Sequence, residues 1–272
     1  MSAPLFVIGL GPGNLSLLAP EAAAALDAAR VLVGYTGYIE RLPEVWRAGR
    51  TVLATGMTGE VQRAKAALDA ALTGEPTVLV CSGDPGVYAL AGLALEIMEQ
   101  RGLCAADLPL HIVPGIPAVC AAAALLGAPL MHDFACVSLS DLLTPWPLIV
   151  KRLEAALMGD FVLALYNPRS RRRTRQLEEA LALALKHKDP STPVGVVKNA
   201  YRPGQEVSIT PLNDVRANDA DMFTILIIGN SMSRIVPGRG EFPLAWESGA
   251  RVLTPRGYGE KYGGIIATPA PV

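Results

Sequence analysis

The sequence predicts an α/β protein: two α/β domains with mainly parallel sheets flanking a central cleft. Three observations predict it. Short apolar runs of strand length recur along the chain, helical patterns stand between successive runs, and the residues just after the runs are rich in glycine, proline and polar side chains. Alternating strand and helix is the pattern of parallel sheets covered by helices, and in open sheets of that kind ligands collect beyond the carboxyl ends of the strands. A chain of 272 residues, 51% of them hydrophobic, can bury one large core or two medium ones. We expect domains over 1–116 and 117–245, then an extended tail over 246–272, where the pattern decays.

Taken in order, the first strand, Leu5–Ile8, turns at the glycine cluster "GLGPGN" before an alanine-rich helix. Pro20 fits the first helical position and Glu21 complements the positive end of the helix dipole. A strand over Val31–Val33 follows, then helical patterns over Gly59–Thr73 and Val87–Arg101 on either side of a strand at Thr77–Val80, and a strand at Leu110–Val113. Proline and glycine in "PGIPAV", Pro114–Val119, end the first unit, and a helix over Cys120–Leu126 opens the second. The second half offers strands at Ala135–Leu139, Phe161–Leu165, Pro193–Val197 and Phe223–Ile228, with helices at Pro147–Met158 and Arg171–His187. No fixed-period repeat is present.

Composition narrows the function. A net charge of -1 with 18% charged residues argues against a nucleic-acid footprint and against disorder, so the expected partner is a small molecule. The four cysteines stand singly, at 81, 104, 120 and 136, which indicates neither a metal site nor a disulfide framework. The longest apolar stretch, "IVPGIPAVCAAAALLGAPLM", carries prolines at 114, 117 and 129 and reads as strand end, turn and buried helix rather than a membrane span. With no signal-peptide pattern at the start, a soluble cytoplasmic protein is expected. Nor is the first turn a dinucleotide fingerprint: Gly9 and Gly11 fit, but Asn14 holds the third glycine place, Pro12 lacks an N–H, and the acidic Asp27 falls inside the helix. A nicotinamide oxidoreductase is therefore a distant alternative.

The informative residues follow the strands: "GLGPG", "SGDPGVY" at Ser82–Tyr88, "PGIPA", "SLSDLLTPW" at Ser138–Trp146, "YNPRSRRRTR" at Tyr166–Arg175 and "KNAYRPG" at Lys198–Gly204. "GLGPGN", "SGDPGVY", "VPGIPA", "YNP" and "NAY" resemble the tetrapyrrole methylases, the cobalamin and sirohaem pathway enzymes that use S-adenosylmethionine and release S-adenosylhomocysteine. The resemblance runs from about Leu5 to Asn230. "SLSDLLTPW", "GMTGEVQRA" and "YNPRSRRR" are similar to those members that methylate precorrin-3B at C17 while contracting the macrocycle to give precorrin-4. The resemblance implies a homodimer, a tetrapyrrole substrate, and a methyl donor held at Pro12, Ser82, Gly83, Asp84, Val87, Pro117, Ala118, Asn167 and Ala200. Pro117 stands where several relatives have a hydroxyl residue and Asn167 where others have methionine. A sister methyltransferase acting at another ring carbon, and a non-catalytic tetrapyrrole-binding protein, are the alternatives.

The chemistry suits these residue types. An enamine-like ring carbon attacking a sulfonium methyl needs orientation more than a base, and glycines let backbone approach the donor while Asp84 orients its polar groups, unless Asp84 only forms an Asp-Pro turn. Ring contraction also requires loss of a hydroxyl proton, which calls for a base. His132, Asp133, Ser140, Asp141 and Thr144 are the polar candidates, with His132 and Asp141 assigned to catalysis beside Asp84, and Ser140 and Thr144 to substrate binding. His132 alternatively serves as a hydrogen-bonded core or turn histidine, and Thr144 as the cap of the helix that follows. In "RSRRRTR", with Ser170 as helix cap, first-turn arginines oppose the dipole and so point to an anion. Arg169, Arg172 and Arg175 are the expected carboxylate anchors, and a plain solvated helix face is the other reading.

Overall fold

The structure is a computed structural model that describes residues 2–56, 58–170, 172–237 and 249–266. The chain divides into two compact units, Met1–Ala118 and Val119–Val272. The first contains β1 (Leu5–Gly9), α1 (Pro20–Ala28), β2 (Val31–Tyr35), α2 (Thr36–Ile39), α3 (Glu44–Arg47), β3 (Thr51–Thr55), α4 (Glu60–Leu72), β4 (Thr77–Cys81), α5 (Ala91–Gln100) and β5 (Leu110–Val113). The second contains α6 (Ala118–Leu126, starting at the junction), β6 (Gly127–Ala128), β7 (Phe134–Ser138), α7 (Trp146–Met158), β8 (Val162–Tyr166), α8 (Arg175–His187), β9 (Pro193–Lys198), β10 (Glu206–Pro211), β11 (Thr224–Ile228), β12 (Arg234–Val236), β13 (Arg251–Leu253) and α9 (Tyr258–Ile266).

In the first unit the strands form one sheet in the order β3-β2-β4-β1-β5, and every pairing is parallel. Side chains alternate across it with the period of two that a strand imposes. Leu5, Val7, Val31, Val33 and Leu79 face a core shared with α4 and α5, whereas Ile8, Leu32, Val78 and Val80 face the core built on Ala22, Ala25 and Leu26 of α1. Both faces are covered, so β1, β2 and β4 read as continuous apolar runs. The edge strand β3 is exposed along most of its length and its "TVLAT" alternates less plainly, which is why no strand is expected there from sequence.

The second sheet runs β10-β9-β11-β8-β7 and departs from the expectation of mainly parallel pairing. Only β7 and β8 are parallel; β8–β11, β11–β9 and β9–β10 are antiparallel. Of these, β9–β10 is a hairpin closed by the short turn 199–205, with Arg202 N–H donating to Asn199 O and Gln205 N–H to Arg202 O, while β11 enters between β8 and β9 running opposite to both. Its core packs Leu163, Leu165, Val194, Leu226 and Ile228 against Ile149 and Leu153 of α7 and Leu177 and Leu181 of α8. On the other face Leu126 of α6 lies against Gly195, where any Cβ would overlap its side chain. The stretch expected to be an extended tail from 246 instead contributes β13, which pairs with β6 and β12, and the helix α9. Residues 246–248 and 267–272 of that stretch lie outside the described ones.

Candidate active site

At the carboxyl edge of the first sheet, β1, β4 and β5 end in turns whose backbones touch. Gly11 N–H donates to Gly83 O at 3.1 Å and Gly83 N–H to Gly11 O at 2.8 Å, an isolated antiparallel bridge. Both residues hold φ of +65°, a conformation glycine adopts without steric cost. The turn after β5 closes on this bridge: a Cβ on Gly9 or on Gly115 would collide with the Gly83 carbonyl oxygen, backbone against backbone. Asp84 ties the arrangement together, its Oδ1 accepting from Gly86 N–H at 2.8 Å and its Oδ2 from Gly115 N–H at 3.0 Å. The Asp-Pro turn and the ligand-orienting role are thus compatible, because each carboxylate oxygen keeps a further acceptor position.

Ser82, Gly83, Asp84, Val87, Pro117 and Ala118 lie half-buried on these adjoining turns, while Pro12, directly after Gly11, is buried. The expected helix start at Val87 moves to Ala91, since Tyr88 takes φ of +51° and interrupts the helix. Cys81, at the end of β4, is buried, and that burial pushes its thiol up to about 11. It is a packing residue at neutral pH and no nucleophile.

Asn167 and Ala200 belong to the second unit, at the ends of β8 and β9. The parallel pair β7–β8, and β9 antiparallel to the shared neighbour β11, place the carboxyl ends of all three strands on one sheet edge. There Asn167 adopts φ of +50° and its Nδ2 donates to Ser138 Oγ at 3.0 Å; the same hydroxyl accepts from Ser140 N–H at 3.2 Å. Asn199 and Tyr201, on either side of Ala200, take φ of +50° and +58°. Asp141 is exposed and accepts from Gln176 Nε2 of α8 at 2.8 Å. Trp146 Nε1 donates to Glu179 Oε2 at 2.7 Å, a second tie between the 138–146 loop and α8.

Several expectations change. His132 precedes β7 and stands at the opposite edge of the sheet from Ser138, a five-residue strand or roughly 15 Å away, with Nδ1 accepting from Asp133 N–H at 2.8 Å. The structure does not bring it together with Asp141. Thr144 does not cap α7: Pro145 occupies the cap position and no side chain bonds the helix start. Ser170 does not cap α8, which begins at Arg175. Ser170 Oγ accepts from Arg173 N–H at 3.1 Å, within a turn that precedes the helix. The dipole argument for an anion thus applies to Arg175 alone, and that side chain pairs with Glu179 Oε1 at 2.9 Å. Arg169 Nη1 donates to Asn218 Oδ1 and Ala217 O. Arg172 is exposed and makes no hydrogen bond or ion pair among the described residues, and Arg171 lies outside them.

The expected anchors leave out two arginines. Arg173 Nη2 donates to Asn167 O at 2.6 Å while its buried Nε has no partner; desolvation lowers its pKa and nearby Asp141 opposes that shift. Arg63 is buried on the core face of α4, in helical register with Ala67 and Ala71. A cation at that spacing on an apolar face was the signal available for it.

A parallel sheet with interlocked glycine turns at its carboxyl edge, joined in one chain to a mixed sheet, defines a two-unit α/β protein whose candidate site is made of loop backbone. The chain belongs to the Tetrapyrrole (Corrin/Porphyrin) Methylases, whose family pattern matches residues 4–216. It is 43% identical over 254 residues to a probable cobalt-factor III C(17)-methyltransferase of Salmonella typhimurium, covering 93% of this chain and 99% of that one. It is 40% identical over 258 residues to a precorrin-3B C(17)-methyltransferase of a Sinorhizobium species, covering 95% and 98%. At 41% identity over 263 residues, or 96% of its own length, it spans about half, 46%, of the cobalt-factor III methyltransferase of Priestia megaterium. Its fold matches the crystal structure of the methyltransferase CobJ with a TM-score of 0.83 at 38% identity, over 93% of this chain and all of that one.

Proposed function

We propose that this chain is an S-adenosylmethionine-dependent methyltransferase that methylates precorrin-3B at C17 and contracts the macrocycle to precorrin-4. The observation that carries the reading is identity of 40–43% along nearly the full length of two relatives named for C17 methylation. Those names differ in whether the macrocycle holds cobalt, which favours a second reading with cobalt-factor III as substrate.

The donor, when bound, supplies an electrophilic methyl on a sulfonium. The first unit's turns fit such a group through backbone, since the half-buried strip Ser82–Asp84 and Pro117–Ala118 offers main-chain atoms and carboxylate acceptors without bulky side chains. Holding reactants in line is worth roughly 7–11 kcal/mol in favourable cases, which suits a site built from interlocked turns. Asp84 orients donor hydroxyls or amino group with the acceptor positions left by Gly86 and Gly115. Asn167 and Ala200 are the second unit's residues that the resemblance assigns to the donor. In the second unit Asp141 takes the meso hydroxyl proton, Ser140 and Thr144 hold the ring edge, and exposed Arg172 meets peripheral carboxylates. Incubation with methyl-labelled donor and either precorrin-3B or cobalt-factor III, followed by NMR of the product, tests this. Label at C17 is expected, and label at any other carbon rejects the proposed regiochemistry.

A further inference from the structure

Arg63 is 4% exposed, yet no carboxylate pairs with it among the described residues. Its Nη1 donates to Thr55 Oγ1 at 2.7 Å and to Gly56 O at 2.6 Å; its Nε is enclosed without a partner, and Nη2 makes no hydrogen bond to the described residues. Thr55 ends β3 and Gly56 follows it, so the guanidinium lies at the carboxyl edge of the parallel sheet, the same edge that carries the interlocked glycine turns. Its field also reaches the Cys81 thiol at the end of β4, two strands across. A guanidinium is always charged, and a desolvated charge is tolerated only when paired. Neutral acceptors occupy Nη1 and the enclosed Nε is out of a ligand's reach, so the N–H donors of Nη2 are left for a charged acceptor such as a carboxylate.

We propose that Arg63 is an anion anchor of the first unit that takes a carboxylate, supplied either by an acetate or propionate arm of the tetrapyrrole or by the amino-acid end of the methyl donor. The inference rests on the methyltransferase reading for the identity of its ligands. No nucleophile or metal is required of it, and Thr55 and Gly56 act as the positioning partners that hold the fork at the sheet edge.

The test uses the full chain with Arg63→Gln and Arg63→Lys, the latter keeping the charge and a donor for Thr55 while losing the fork. Titrations with uroporphyrin III, an octacarboxylate, with S-adenosylhomocysteine, and with methylthioadenosine, which lacks the amino-acid end, separate the sources. A tetrapyrrole carboxylate predicts about 10-fold to 100-fold weaker uroporphyrin binding by Arg63→Gln with both nucleosides unchanged. A donor carboxylate predicts the same loss for S-adenosylhomocysteine with methylthioadenosine unchanged. Arg63→Lys should fall between wild type and Arg63→Gln on the affected ligand. If wild type binds these ligands and both variants bind them equally well, the anchor is overturned and the methyltransferase reading stands. If wild type binds none of them, that reading fails, and propionate decides the anchor alone: thermal stabilisation of wild type but not of Arg63→Gln supports it, and equal shifts overturn it.

Discussion

Asp84 and the glycines around it show how a site of backbone is held in place by single atoms. Removing the Asp84 carboxylate orphans the N–H groups of Gly86 and Gly115 together. Asp84→Ala should therefore cost about 1–3 kcal/mol in stability and weaken S-adenosylhomocysteine binding, whereas Asp84→Asn, with one carbonyl oxygen left to accept, should fall between. Thermal melts read alongside isothermal titration check this, and a variant with wild-type values in both would leave Asp84 a simple turn residue. Gly115→Ala is harsher. Its Cβ meets the Gly83 carbonyl, which has no rotamer to change, so we expect a loss of about 1–3 kcal/mol or more and no donor binding. The cysteines give a chemical check on the same edge. Cys104 and Cys120 are exposed and should alkylate with iodoacetamide in the native protein, while buried Cys81, its thiol held near 11, should react only on unfolding. Peptide mapping of Cys81 adducts under native conditions would contradict the burial.

At the scale of elements, the turn between β8 and α8 separates arginines that the sequence presents as one cluster. Arg173 braces the left-handed turn at Asn167, Arg169 reaches the 217–218 segment, and Arg175 pairs along the helix with Glu179. Only Arg172 of the described ones is exposed and without a bonded partner. Arg173→Gln should then lower the melting temperature, since Asn167 O loses its donor at a cost of about 1 kcal/mol. Arg172→Gln should leave the melt unchanged and raise the dissociation constant for a tetrapyrrole polycarboxylate. Equal effects of both on ligand affinity, erased by moderate salt, would point to diffuse attraction. This division was not legible beforehand because helical spacing assumed that α8 begins at 171, whereas the turn from Asn167 to Thr174 is set by backbone and side-chain hydrogen bonds between Ser170 and Arg173. The same holds for Asp141, whose carboxylate is met by Gln176 of α8, remote along the chain, whereas Ser140 is held locally by Ser138.

At the scale of the whole molecule, acid stability follows from carboxylates that the fold holds charged. Desolvation disfavours the charged Asp160, but hydrogen bonds from Ser231 and from Lys188, whose side chain is 1% exposed, outweigh it and its pKa is lowered. Asp221 is lowered likewise, burial being outweighed by Phe223 N–H, Lys198 and Thr224. With folded pKa values below the unfolded value of about 3.9, this stabilisation is complete above roughly pH 5 and disappears as pH falls through the folded values. Denaturant midpoints taken from pH 7 downward should be flat to about pH 5 and then fall, and Asp160→Asn should flatten the decline. The sequence by itself determined the α/β class, the apolar strand runs, the first proline of α1 and the glycine turns of the candidate site, because periodicity, proline and glycine act through local geometry. The tertiary structure alone decided what depends on partners far along the chain. The antiparallel pairings of β11 are one case, and the strand drawn from the 246–272 stretch is another. The removal of His132 to the far sheet edge is a third, and the fourth is the unpaired charge of Arg63, visible only once α4 is laid against the end of β3. A residue's identity sets which bonds it can make, and only the packed chain sets which atoms are within reach.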